Sequence, residues 1–180
     1  MTIQPAIDPT KTEAFLGKVL GDTSGMTVTV MAAIGDRLNL FKNLAHGPAT
    51  IAQLATRTSL NERYVQEWLG VMVSAGYIAY DPISGLFTLP PEYVPVLAQE
   101  NGALFFGGIH QMLIGMIRPY NQLVHSFQHG GGVPQSAYDD DLWDGMERFT
   151  SGWFENLLLP VWIPAMPEVQ AKLEQGVEVA

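Results

Sequence analysis

The stretch GPATIAQLATRTSLNERYVQEWL (47–69), followed by AGYIAYDPISGLFTLP (75–90), decides the fold. Thr50 with Gln53 three residues later has the form of a capping box, which opens a short helix from Ile51 to Thr56. Ser59 with Glu62 repeats the pattern and opens a second helix, whose apolar face is Val65, Trp68, Leu69, Met72 and Val73. Two short capped helices a few residues apart make a helix-turn-helix. Tyr77 to Tyr80 is β-rich, Asp81 to Gly85 supplies turn chemistry, and Leu86 to Leu89 can return as a second strand. A helix-turn-helix followed by a hairpin is a winged helix, so the expected fold is mainly α with a small β-hairpin wing.

Working outward, Asp8 to Leu20 reads as one helix and Thr27 to Leu44 as a second, in which Met31, Ile34, Leu38 and Phe41 recur at spacings of three and four. That stripe needs an apolar cover, and a second copy of the chain would supply it. Beyond Pro90 and Pro91 the pattern is helical over Glu92–Ala98, Leu104–Gln128, Leu142–Val161 and Glu168–Glu174, with a glycine-rich connection at Gly130–Pro134. Val177 to Ala180 begin an alternating pattern. The longest apolar run, Ala103 to Ile117, contains three glycines, His110 and Gln111 and is shorter than the roughly 18 residues of a membrane span, so it reads as a buried helix.

Composition narrows the function classes. The chain has 180 residues, 47% apolar, which is enough to bury a core. It has no cysteine, which excludes disulfides, a thiolate nucleophile and cysteine-ligated metals. Eighteen acidic side chains against nine basic ones argue against nucleic-acid binding by phosphate neutralisation. Within residues 46–90 the cations are Arg57 and Arg63, set against Glu62, Glu67 and Asp81. No basic segment precedes an apolar run at the start of the chain, so the expected location is the cytoplasm.

With the winged helix in place, the sequence resembles the amino-terminal regions of bacterial class I S-adenosylmethionine-dependent methyltransferases that carry such a domain. The segments that carry the likeness are GDRLNLF (35–41), residues 47–69 and 75–90 quoted above, GGGVPQSAY (130–138) and GMERFTSGWFENLLLPVWIPAMPEV (145–169). The resemblance implies dimerising helices over residues 1–45, the winged helix over 46–90, a helical linker and lid over 91–176, and at 177–180 the start of a catalytic domain. The Rossmann-like turn that would approach the cofactor and the carboxylate that would hold its ribose lie outside these 180 residues. No methyl transfer and no S-adenosylmethionine binding are therefore expected of this chain alone.

The resemblance also implies that helices after the wing cover the cofactor and line the pocket of a small apolar methyl acceptor. Tyr138 and Met146 are the candidates to meet the cofactor, because aromatic faces and thioethers suit a sulfonium. Gln111, Met112 and Trp153 are the candidates for the acceptor pocket, and His110 for a base toward an acceptor hydroxyl. Met146, Phe149 and Trp153 also have the spacing of a core stripe, and His110 reads equally as a buried, hydrogen-bonded imidazole. His125 and His129, four apart, have a ligand spacing without a telling third partner, so no metal site is expected. Asp139 to Asp141 lacks the pattern of a calcium loop and reads as a helix N-cap. A winged-helix regulator that binds DNA or a small apolar ligand is the competing function class.

Overall fold

A computed structural model describes residues 7–176. Helix α1 (Pro9–Arg37) is followed by α2 (Leu40–Ala45), α3 (Ile51–Thr58), α4 (Glu62–Ser74), strands β1 (Ala79–Asp81) and β2 (Leu86–Thr88), and α5 (Val94–Leu97). Then come α6 (Gly107–Ile117), α7 (Tyr120–His129), α8 (Asp140–Trp153), a π-helical segment Phe154–Trp162 and α9 (Pro167–Gln175). The fold is mainly helical with one small antiparallel sheet, as the sequence led us to expect. The expected start of a catalytic strand at Val177–Ala180 lies outside the described residues.

The winged helix forms where the local signals place it. The Thr50 hydroxyl accepts from the Gln53 amide while the Gln53 side chain accepts from the Thr50 amide, so the capping box is complete. The second box is not: Asn61 caps α4 by accepting from the Arg63 amide, and Ser59 instead ends α3 in the left-handed conformation. β1 pairs with β2 in the register Tyr80 to Phe87, and Phe87 also bridges back to Ala49 just ahead of α3. The wing is thereby tied to the start of the helix-turn-helix. Beneath it lie Leu54, Val65, Trp68, Leu69, Met72 and Ile78, joined by Leu40, Phe41 and Leu44 of α2.

At the amino terminus the two expected helices are one. The pattern lapses at Gly21–Gly25, yet α1 runs through, with Thr23, Thr27 and Thr29 donating their hydroxyls to carbonyls four residues back. The break comes later, at Asn39, which takes the left-handed conformation that asparagine tolerates. This break divides the expected Met31–Ile34–Leu38–Phe41 stripe. Phe41 turns into the chain's own core, edge-on to Trp68 at 5.0 Å, so it is no part of a free face. The Trp68 indole N–H donates to the Met31 carbonyl at 2.8 Å. A Cβ on Gly35 would collide with the Trp68 ring, so a glycine is needed for α1 and α4 to approach this closely.

The second half is built on α6 against α8. Gly108 meets the backbone of Gly145 and Phe149, whereas Gly115 meets Leu142, so the two helices run antiparallel with their backbones nearly touching. A Cβ on Gly145 would lie 2.5 Å from the Met112 amide nitrogen and 2.7 Å from the Gly108 carbonyl oxygen. The expected helix Leu104–Gln128 is two, because Pro119 has no N–H to continue α6 and α7 starts afresh after it. The expected helix Leu142–Val161 begins earlier, at Asp140, and widens into a π-helix that contains Pro160.

These contacts lead to a contrast between two glycines. Gly145→Ala forces backbone apart and is expected to lower stability in urea unfolding by about 3 kcal/mol. Gly70→Ala meets nothing within 4 Å and should raise it by about 1 kcal/mol through helix propensity alone. Equal effects of the two substitutions would contradict the close approach of α6 and α8.

Candidate functional site

The dominant polar feature is a partly buried guanidinium. Arg148 on α8 pairs bidentately with Asp36 of α1, Nη1 to Oδ2 at 2.9 Å and Nη2 to Oδ1 at 3.1 Å. It also donates from Nε and Nη2 to Glu100 at 2.9 and 3.0 Å, and from Nη1 to the Gln111 side-chain oxygen at 2.7 Å. All five of its N–H groups are thus used. Its plane lies over the Phe105 ring at 5.4 Å. Lys42 of α2 reaches Glu100 at 2.7 Å, and Gln111 donates to Asp141, which also accepts from Arg37. Three cations, Arg148, Lys42 and Arg37, therefore meet three carboxylates, Asp36, Glu100 and Asp141.

Burial alone would depress the Arg148 pKa, but the hydrogen bonds it donates to Glu100 and Asp36 overcome that and raise it, so the guanidinium stays charged. Burial likewise pushes the Glu100 carboxyl up, and the bonds from Arg148 and then Lys42 outweigh it, leaving the group below its ordinary 4.5. A carboxyl at Asp36 with 3% side-chain exposure is tolerable only beside such a partner.

Two cavities flank α6. The first, of about 390 Å³, lies between α1 and α6, with Ile34 and Ile114 on one wall and Asp36, Lys42, Asp141 and Arg148 on the other. Its charges are committed to each other, so it offers no free acid or base. The second, of about 410 Å³, lies among Thr29 of α1, the turn after α4, α5 and α6. Tyr77, Tyr93, Leu97, Phe106, His110 and Leu113 line it, and no Asp, Glu, Lys or Arg does. His110 is only 6% exposed and its Nδ1 finds no hydrogen-bond partner among the described residues. Burial, opposed by the Asp36 carboxylate, holds its pKa below 6.5 and keeps the ring neutral at neutral pH.

The sequence-derived candidates are scattered over this geometry rather than gathered in one pocket. Gln111 faces the charged cavity, and the neighbouring His110 faces the uncharged one. Met112 presses its backbone against Gly145, and Trp153 donates its indole N–H to the Ala103 carbonyl at 3.1 Å. Neither lines these two cavities. Tyr138 follows a short 3-10 turn (Gln135–Ala137) and is half-buried, while Met146 is exposed on α8. The aspartate run does more than an N-cap. Asp139 makes no side-chain cap bond; it and Asp141 pair with Arg118, and Asp141 is buried. The His125 and His129 rings lie 4.5 Å apart, tilted by 46°, and no group of three metal-ligating side chains occurs among the described residues. Both winged-helix cations are engaged: Arg57 donates to the Gly47 and Pro48 carbonyls, and Arg63 pairs with Glu67 at 3.0 Å. Sequence reasoning missed Asp36 and Glu100, although an acid inside the otherwise apolar end of α1 was a usable signal.

Since the folded Glu100 pKa lies below its unfolded one, its stabilisation is complete above about pH 4.5 and is lost as pH falls through the folded value. Glu100→Gln is therefore expected to lose stability less steeply than the natural protein below pH 4.5. Parallel unfolding profiles across that range would contradict this.

Residues 26–99 match the family of Rv2258c-like winged HTH domains, a span that begins inside α1 and ends beyond α5. No curated protein matches the sequence. Among solved structures, PigF with SAH aligns at a TM-score of 0.61 and 16% identity, covering 86% of this chain and 54% of that one. N,N-8-amino-8-demethyl-D-riboflavin dimethyltransferase (RosA) from Streptomyces davawensis aligns at 0.60 and 18% identity over 78% of this chain and 44% of its own. The mitomycin 7-O-methyltransferase MmcR aligns at 0.60 and 16% identity over 81% and 46%. The chain spans about half the length of these structures. Residues 26–99 are thus similar to Rv2258c-like winged HTH domains, within a fold that the chain shares with part of these proteins.

Proposed function

We propose that this chain is the dimerisation and substrate-covering region of an S-adenosylmethionine-dependent methyltransferase. The observation that carries the reading is that the fold spans most of this chain and only about half of each structure, one of them holding SAH. A cofactor-binding domain outside these residues accounts for that difference. The residues present do not by themselves fit S-adenosylmethionine. The 180 residues contain no glycine-rich strand-to-helix turn, and the charged groups of the α1–α6 cavity are saturated by one another. In the complete protein, Tyr138 and Met146 would contribute from the accessible side of α8 and its preceding turn.

Dimerisation rests on the first part of α1. Residues 7–27 touch nothing that buries them, yet Phe15, Leu16, Val19 and Leu20 fall four apart on neighbouring rows and are 42–67% exposed. A helix of that length is marginal without a partner. A second copy of the same helix offers a matching apolar face, and the twofold arrangement would close. The competing regulator reading loses support on the DNA side, because the winged helix presents no unengaged arginine to a phosphate.

Sedimentation of the 180-residue chain is expected to give a dimer at micromolar concentration, and Leu16→Asp with Leu20→Asp a folded monomer. A monomer across a wide range of concentration for the natural sequence would overturn the dimer. In the complete protein, Met146→Ala and Tyr138→Phe should each weaken SAH binding about tenfold by calorimetry. Unchanged affinity in both variants would sink their assignment to the cofactor.

A further inference from the structure

We propose that a second copy of the chain lies antiparallel along α1, centred at Gly25, and covers the cavity between α1 and α6 with its own Phe15 and Val19. This rests on the dimer proposed above and goes beyond it by fixing the register and by naming what the partner adds to a cavity of this chain. From Glu13 to Arg37 one row of α1 recurs at alternating intervals of three and four, the spacing of a coiled-coil seam. The row is its own mirror about Gly25: Leu16 answers Ile34, Leu20 answers Val30, Thr23 answers Thr27, and at the ends Glu13 answers Arg37. An isologous contact requires this, because both copies must offer the same patch. The row points away from the chain's own core, since the buried Ala32 and Asp36 lie on the opposite side of the helix, and Leu16, Leu20 and Ile34 are exposed. Thr23 and Thr27, at the centre, turn their hydroxyls to carbonyls within α1 and leave their methyl groups for the seam.

Charge fixes the orientation. Antiparallel helices bring each Glu13 to an Arg37, whereas parallel ones would set Glu13 against Glu13 and Arg37 against Arg37. Arg37 has room for the added carboxylate, because among the described residues only its Nη1 is used, by Asp141, and its side chain is 68% exposed. The cover of the cavity follows from the register. Val30, Ala33 and Arg37 line the cavity from one flank of α1, and Phe15 and Val19 fall on that same flank by helical spacing. A twofold axis that reverses the helix keeps equal flanks together, so Phe15 and Val19 of the second copy come level with Gly35 and Met31 and bracket Ala33. They add an apolar cover beside Ile34 and Ile114, and the charged wall keeps its internal pairs.

The chain has no cysteine, so introduced ones report the register. A mixture of Leu20→Cys and Val30→Cys chains is expected to cross-link on oxidation, and neither variant alone. Ala33→Cys, at the cavity wall, should react with a maleimide about tenfold more slowly than the same thiol in the Leu16→Asp, Leu20→Asp background. Glu13→Lys should raise the dimer dissociation constant about tenfold at low salt, and less at high salt. Cross-linking of Leu20→Cys alone, no cross-link in a mixture that sediments as a dimer, equal maleimide rates, or an unchanged dissociation constant in Glu13→Lys would each overturn the proposal. Any of these results, obtained on a sedimenting dimer, leaves dimerisation standing, whereas a monomeric natural chain removes the dimer and its register together.

Discussion

The rest of the structure depends on the pairing of Arg148 with Asp36. The guanidinium comes from the middle of α8, the carboxylate from the last turn of α1, and 112 residues separate them in the chain. Taking both charges out of water is unfavourable, and the cost is recovered only because Glu100 and Gln111 occupy the remaining donors. The cluster therefore acts less as a source of stability than as a requirement on geometry. α1, the segment carrying Glu100, α6 and α8 must all be in place before the charges are satisfied. Glycines set how near they come: Gly108, Gly115 and Gly145 let α6 and α8 touch through backbone, which brings Arg148 within reach of α1.

This arrangement divides the molecule's polar chemistry in two. Successive residues on a helix point about 100° apart, so His110 and Gln111 look into different cavities from one turn of α6. On the Gln111 side every charge is answered by another. On the His110 side there is no charge, and one imidazole nitrogen is unanswered. The first side holds the fold together. The winged helix supports both as a packed plate whose arginines are turned to its own carbonyls and to Glu67.

Legibility in the sequence followed the range of the interactions. The Thr50–Gln53 box, the face of Val65, Trp68, Leu69 and Met72, and the hairpin around Asp81–Gly85 are short-range patterns, and the structure reproduces them. Boundaries set by competition between neighbours were harder to place. Ser59 and Asn61 both have the chemistry of a cap, and only the backbone conformation at Ser59 shows why Asn61 takes the role. The continuity of α1 was hidden by Gly17, Gly21 and Gly25, which weaken a helix without ending it. The ion cluster was illegible because the ions that pair within it lie 48 to 112 residues apart and carry no period. For the same reason Asp139–Asp141 read as a cap when Arg118 and Arg37 were its real partners. One long-range signal was available and unread: Gly108 and Gly115, like Gly145 and Gly152, stand seven apart, two turns along one face of each helix that must pack closely.

The central claim is that Asp36 and Arg148 act as a unit that joins the winged helix to the helices beyond it. A double-mutant cycle in urea unfolding with Asp36→Asn and Arg148→Met measures that directly. The account predicts a coupling free energy of about 2 kcal/mol or more, with each single substitution nearly as damaging as the pair, since either one strands the other group. Additive effects, with a coupling within about 0.5 kcal/mol of zero, would contradict it.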